Sequence, residues 1–151
     1  VLPLVYLPKV PAIWQQFLEF HQAHKAPVQP PEPPDAILVG TADSQLYAGA
    51  CIYPTDGPFA VVEYWTTNPG VLQADRHKAV LAAIDGLRTY AATRNKSIFC
   101  FPRESKGLER MLRKSGFAMS PTVCLYHFPW NFTGLEVHGG EVLTVKRKKK
   151  R

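Results

Sequence analysis

Arg76, His77 and Lys78 place three cationic side chains in a row, between the strand-stopping run Asn68-Pro69-Gly70 and a long helical pattern. Cations at that place have a definite chemical use. The start of a helix carries backbone N–H groups without intrahelical partners and a partial positive charge, so cationic side chains gathered there make a cradle suited to phosphate. The alternative is a solvated helix face with no ligand. His21 and His24 lie three residues apart in an earlier helical segment, a spacing a metal can use. No carboxylate or cysteine completes the set, so no metal is expected. Cys51, Cys100 and Cys124 each sit in apolar, strand-like sequence. An odd number without close spacing speaks against a disulfide framework or a zinc site and for reduced core residues.

These residues need elements to position them. Residues 59–67 are rich in β-branched and aromatic side chains and read as a strand that ends near Thr67. Val80, Ala83, Ile84, Leu87 and Ala91 then fall at helical spacing in a proline-free segment, which predicts a helix of roughly four or five turns with its apolar face on that strand. Upstream, Pro11 suits a first helical turn, and Ile13, Trp14, Phe17, Leu18 and His21 form an apolar stripe on a helix that ends before Pro27. The proline-rich run 27–34 makes a stiff, extended connector. Residues 36–41 and 46–53, joined by 42–45, read as a hairpin, and 54–58 turns the chain into 59–67, giving three consecutive antiparallel strands.

Residues 97–101 supply a further strand beside 59–67, reached by a right-handed crossover if the two are parallel. Leu108, Met111 and Leu112 give a short helix its buried side, and Gly116 is placed to stop it. Residues 122–128 read as another strand, ended by Pro129, and 135–138 and 141–145 flank Gly139-Gly140 as a small hairpin. The expected fold is mixed α/β (α+β): a mostly antiparallel central sheet flanked by helices, followed by a C-terminal hairpin and a basic tail.

The 151 residues suit one domain, and 46% hydrophobic content fits an ordinary globule. It divides into an N-terminal helix region (1–26), the connector (27–35), the core (36–128), a C-terminal extension (129–145) and the tail (146–151). No apolar run approaches the roughly 20 residues of a membrane span, and the first residues are broken by Pro3 and Pro8 without a basic front. No membrane partner or signal peptide is expected, and the location expected is cytoplasmic. The net charge of +6 lies entirely in 146–151: without those six cations, 12 Lys and Arg stand against 12 Asp and Glu. Such a tail either binds nucleic acid or another acidic partner, or is simply solvated. A nucleic-acid module unrelated to any transferase would need stacking aromatics beside the tail, which Trp130 and Phe132 supply weakly. Asn131-Phe132-Thr133 is a glycosylation sequon with no secretory context.

The strand, loop and helix over 59–92 resemble the acetyl-CoA-binding segment of the GNAT N-acetyltransferase superfamily, where a loop of pattern Gln/Arg-x-x-Gly-x-Gly/Ala opens a long helix. Gln73 matches the first position, whereas Arg76 and Lys78 stand where that pattern has glycines. Residues 104–117, ending in Gly116-Phe117, resemble the later short helix of the same superfamily, and the resemblance spans roughly 36–128. It implies acetyl-CoA as co-substrate and an amine acceptor, protein or small molecule, whose identity the sequence leaves open. It places backbone groups of Trp65, Thr66 and Thr67 along the pantetheine arm, with Gln73, Arg76, His77 and Lys78 around the pyrophosphate. Ser105 replaces a frequent asparagine near the pantetheine, and a helix N-cap explains it equally well.

The resemblance also makes Glu63, the one carboxylate on the central strand, the general base; a cleft-edge or ion-paired glutamate is the alternative. The superfamily's usual acid, a tyrosine in the short helix, falls at Leu112. Tyr126 or Tyr64 would have to substitute, unless each is simply a packed aromatic. A rival reading is a GNAT fold that has lost catalysis and serves as a binding or structural subunit, for instance in a phage particle. An oligomer or larger assembly, in the host cytoplasm or a virion, would then be its setting.

Overall fold

The computed structural model describes residues 3–25, 30–102 and 105–118. Tyr126, Cys124, the strand expected over 122–128, the hairpin expected over 135–145 and the tail 146–151 lie outside the described residues. The chain divides into two compact units, Val1–Ser115 and Gly116–Arg151, and every element below belongs to the first.

In chain order these are β1 (Leu4–Tyr6), α1 (Pro11–Ala23), β2 (Asp35–Thr41), β3 (Leu46–Pro54), β4 (Phe59–Thr67), α2 (Gln73–Arg94), β5 (Ser97–Cys100) and α3 (Lys106–Lys114). The sheet runs in sequence order, β1 to β5; only the β4–β5 pair is parallel. A parallel neighbour needs a long return, and α2 is that return.

The sheet is apolar on both sides because each side carries a helix. Ile13, Phe17 and Phe20 of α1 pack with Leu38, Leu46 and Cys51. On the other side Leu87 of α2 packs with Ala50, Ile52, Ala60 and Val62. Two glycines mark where close packing leaves no room for a Cβ. At Gly40, beside the irregular β2–β3 register, it would lie 2.0 Å from the Gln45 carbonyl oxygen. At Gly86 it would lie 2.5 Å from Ile37 Cδ1, so α2 sits down on β2 through that residue.

Three features depart from the sequence reading. Leu4–Tyr6 adds a short edge strand antiparallel to β2, and the Tyr6 hydroxyl donates to the Ala82 carbonyl at 2.9 Å. Three residues between prolines are too short to show an alternation, so this strand exists by virtue of its partner. The described part of the connector is docked as well as extended: Pro33 is fully buried, and its carbonyl accepts from Lys9 Nζ while that of Pro31 accepts from Tyr53. Finally, α2 spans 22 residues, about six turns. It begins at Gln73, so Arg76, His77 and Lys78 belong to the helix itself. Asn95, left-handed at φ 50°, ends it, as the tolerance of asparagine for that region allows.

Candidate functional site

The site is made by the second half of β4. Its pairing with β5 stops at Val62–Cys100, so from Glu63 to Thr67 β4 has β3 on one side and no described strand on the other. Opposite β3 the register slips: Gly49 faces Thr66 and Cys51 faces Glu63, leaving Tyr64 and Trp65 against the single residue Ala50. That is a β-bulge, and Tyr64 makes it with a left-handed φ of 56°. A bulky side chain held there costs of order 1–3 kcal/mol.

The bulge re-aims the side chains. Glu63 lies directly across from Cys51, which belongs to the α1-side core, and the next residue, Tyr64, packs against that same core. Two consecutive residues therefore share a face, which a regular strand forbids. Trp65 goes to the opposite face, against the cluster holding Leu87 of α2.

Four side-chain atoms in this part of the molecule are buried with no hydrogen-bond partner among the described residues: Glu63 Oε1, Trp65 Nε1, Thr66 Oγ1 and Arg76 Nε. Buried polar atoms are overwhelmingly paired in folded proteins, and one left unpaired costs about 1–3 kcal/mol. Three of the four lie within four residues of β4 and the fourth on the second turn of α2, and each belongs to a residue the sequence singles out. Their chemistry, an acidic oxygen, an indole donor, a hydroxyl and a guanidinium, fits a polar ligand with donors, acceptors and negative charge.

The three cations separate. Arg76, half-buried, continues the stripe of Ala79, Val80 and Ala83 towards the helix start. Lys78 Nζ is 3.5 Å from Asp75 and its side chain is 61% exposed, and His77 is exposed too. The exposed Leu72 carbonyl accepts from Asp75 and Arg76, while among the described residues no acceptor reaches the N–H of Gln73 or Ala74. Free helix-start amides beside a half-buried guanidinium suit a phosphate.

Ser105 caps α3, its Oγ accepting from Leu108 N at 3.3 Å. Ser105→Ala is expected to destabilise the free protein by about 0.5–2 kcal/mol, the usual cost of a lost N-cap. Thermal melting of the variant against wild type checks it. Leu112 is buried in that helix.

On the α1 side an unbroken series of rings leads to the bulge: Trp14 stacks on Phe17, Phe17 meets His21 edge-on, His21 meets Tyr64, and Tyr64 meets Tyr53, with centroids 4.8–6.3 Å apart. Burial pushes the Tyr53 phenol above its ordinary value, and it pushes the Cys51 and Cys100 thiols up to about 12. Both thiols are protonated at neutral pH, so neither suits a covalent acyl carrier. Sequence reasoning missed the use of the two histidines. His21 Nε2 donates to the Tyr64 carbonyl at 3.0 Å and His24 Nε2 to that of Thr67 at 2.8 Å. A histidine on an apolar helix face signals that its ring N–H needs a partner, but not which one.

No protein-family model matches the sequence, and no curated protein matches it. Among solved structures, the chain resembles a protein of Agrobacterium tumefaciens str. C58 to which acetyltransferase activity is ascribed. The two share 16% identity and a TM-score of 0.50 over 91% of this chain and 100% of that one. It also matches the aminoglycoside antibiotic 6'-N-acetyltransferase AAC(6')-IG of Acinetobacter haemolyticus at 13% identity over 93% of this chain and 99% of that one, with a TM-score of 0.45, too low to argue from. The likeness to the Agrobacterium protein lends no support to a phage component. Identity this low speaks for the fold alone, and the fold is GNAT-like: a mostly antiparallel sheet, five-stranded among the described residues, between flanking helices.

Proposed function

We propose that the protein is an acetyl-CoA-dependent N-acetyltransferase acting on an amine. The observation that carries this reading is the set of four buried, unpartnered polar atoms on Glu63, Trp65, Thr66 and Arg76, at the open end of β4 and the start of α2. They lie where the resemblance to GNAT enzymes implies base, pantetheine arm and pyrophosphate.

In this reading the open edge of β4 offers backbone groups of Trp65, Thr66 and Thr67 to the pantetheine, and Arg76 with the free amides of Gln73 and Ala74 holds the pyrophosphate. Bound acetyl-CoA supplies the activated acyl group. Glu63 takes a proton from the acceptor ammonium, directly or through water, and the freed lone pair attacks the thioester carbonyl. A C–N bond forms and the C–S bond breaks; the departing thiolate takes up a proton from an acid, which the second proton shed by the attacking nitrogen restores as the amide forms. Tyr64 shares the face of Glu63 and is the described candidate for that acid.

A second reading, binding without transfer, is favoured by Leu112, an apolar buried residue where the resemblance implies an acid tyrosine. Thermal melting with acetyl-CoA tests the site for both. A ligand that binds only the folded state stabilises it by about 2.7 kcal/mol at a hundredfold excess over Kd. The expected result is a melting temperature that climbs with acetyl-CoA concentration; no shift at millimolar acetyl-CoA would overturn both readings. Release of CoA thiol in the presence of amines then distinguishes transfer from binding.

A further inference from the structure

We infer that His21 and His24 are positioning residues which hold the bulged end of β4 in the conformation that receives the acyl donor. The inference rests on the reading of that strand as the acetyl-CoA site. The two histidines, three apart at the end of α1, donate from Nε2 to carbonyls that are also three apart, Tyr64 at 3.0 Å and Thr67 at 2.8 Å. Between those carbonyls stand Trp65 and Thr66, whose Nε1 and Oγ1 are two of the four buried atoms without partners. The imidazoles thus bracket the segment with unsatisfied polar groups.

Tyr64 shows why a bracket is needed. A tyrosine at φ 56° sits in a region that non-glycine residues avoid, so the surroundings must hold it there. His21, 7% exposed and in ring contact with both Phe17 and Tyr64, is well placed to do so. The peptide group is planar and trans, so fixing the direction of the Tyr64 C=O also fixes the Trp65 N–H, which must point the opposite way, away from α1. In the same manner His24 fixes the peptide between Thr67 and Asn68, whose N–H donates to the Tyr47 carbonyl at 2.8 Å. Either neutral imidazole with its proton on Nε2 or imidazolium can make these bonds.

His24 is exposed and closes the helix, so it can be exchanged without opening the core. In His24→Leu the bond to Thr67 is lost. In His24→Gln the side-chain amide carries a donor at about the same reach. Three quantities are measured: acetyl-CoA affinity by calorimetry, melting temperature without ligand, and amide exchange at residues 64–68 by NMR. The expected result is that His24→Leu weakens acetyl-CoA about three- to tenfold, speeds exchange at 64–68 and barely moves the melting temperature, while His24→Gln restores wild-type affinity and exchange.

Equal affinity and unaltered exchange in His24→Leu would overturn the inference. So would equal losses in the leucine and glutamine variants, which would make the imidazole mere packing. If the wild-type protein fails to bind acetyl-CoA, the transferase reading falls. Exchange at 64–68 then decides the bracket alone: acceleration reversed by glutamine upholds it, and no acceleration refutes it.

Discussion

Glu63→Gln is expected to slow acetyl transfer by about 10²- to 10⁴-fold, the usual contribution of a positioned general base, while acetyl-CoA affinity stays at its wild-type value. Glutamine keeps the shape and removes the charge, so only the step that needs a proton acceptor suffers. The free protein should melt no lower than wild type. Glu63 Oε1 is buried without a partner, and no cation among the described residues is paired with it. Glu63 as a whole is only half-buried, so glutamine, which keeps its shape, costs the fold little. Two measurements check the idea: the rate of CoA thiol release across pH with an accepted amine, and the melting temperature. A variant that keeps the wild-type rate at every pH would remove Glu63 from the mechanism.

Arg76→Ala is expected to weaken acetyl-CoA by about 1.5–3 kcal/mol, the range for a lost hydrogen bond to a charged group. Lys78→Ala should scarcely alter it. The two residues look equivalent in sequence, but Lys78 is exposed and paired with Asp75, whereas Arg76 is half-buried with its Nε unpartnered. An exposed ion pair within one helix contributes about 0.3–0.5 kcal/mol, so little is lost with Lys78. Calorimetry with acetyl-CoA and with acetyl-pantetheine, which lacks the pyrophosphate, separates charge recognition from folding damage. If Arg76 holds the pyrophosphate, only acetyl-CoA loses affinity. Equal losses for both ligands would place Arg76 elsewhere, and no loss for either would make it a solvated face.

The order of elements was legible because each rests on a local pattern. Alternation and the breakers at 42–45 and 54–58 define the three antiparallel strands within a residue or so, and helical spacing brings out α1, α2 and α3. Glu63, Trp65, Thr66 and Thr67 stood out as a group through the resemblance of that strand, loop and helix to the GNAT acetyl-CoA segment. The length of α2 was underread because Gln73 to Ala79 carry few apolar residues to set a phase, and its start is an exposed leucine without a capping side chain. β1 escaped because three residues carry no period.

By itself, the sequence determined which faces are apolar, and therefore that a sheet between helices must form, since alternation and helical spacing are properties of neighbouring residues. It also determined which residues gather at the end of β4. Only the tertiary structure decided how they point. The slip opposite Ala50 turns Glu63 and Tyr64 onto one face and Trp65 onto the other, and it depends on how β3 and β4 pair. The partners of His21 and His24 lie 43 residues away along the chain. The sorting of Arg76 from Lys78 depends on which side of α2 meets the sheet. Each of these is a contact between segments distant in sequence, whose geometry is set by packing and not by local residue preference.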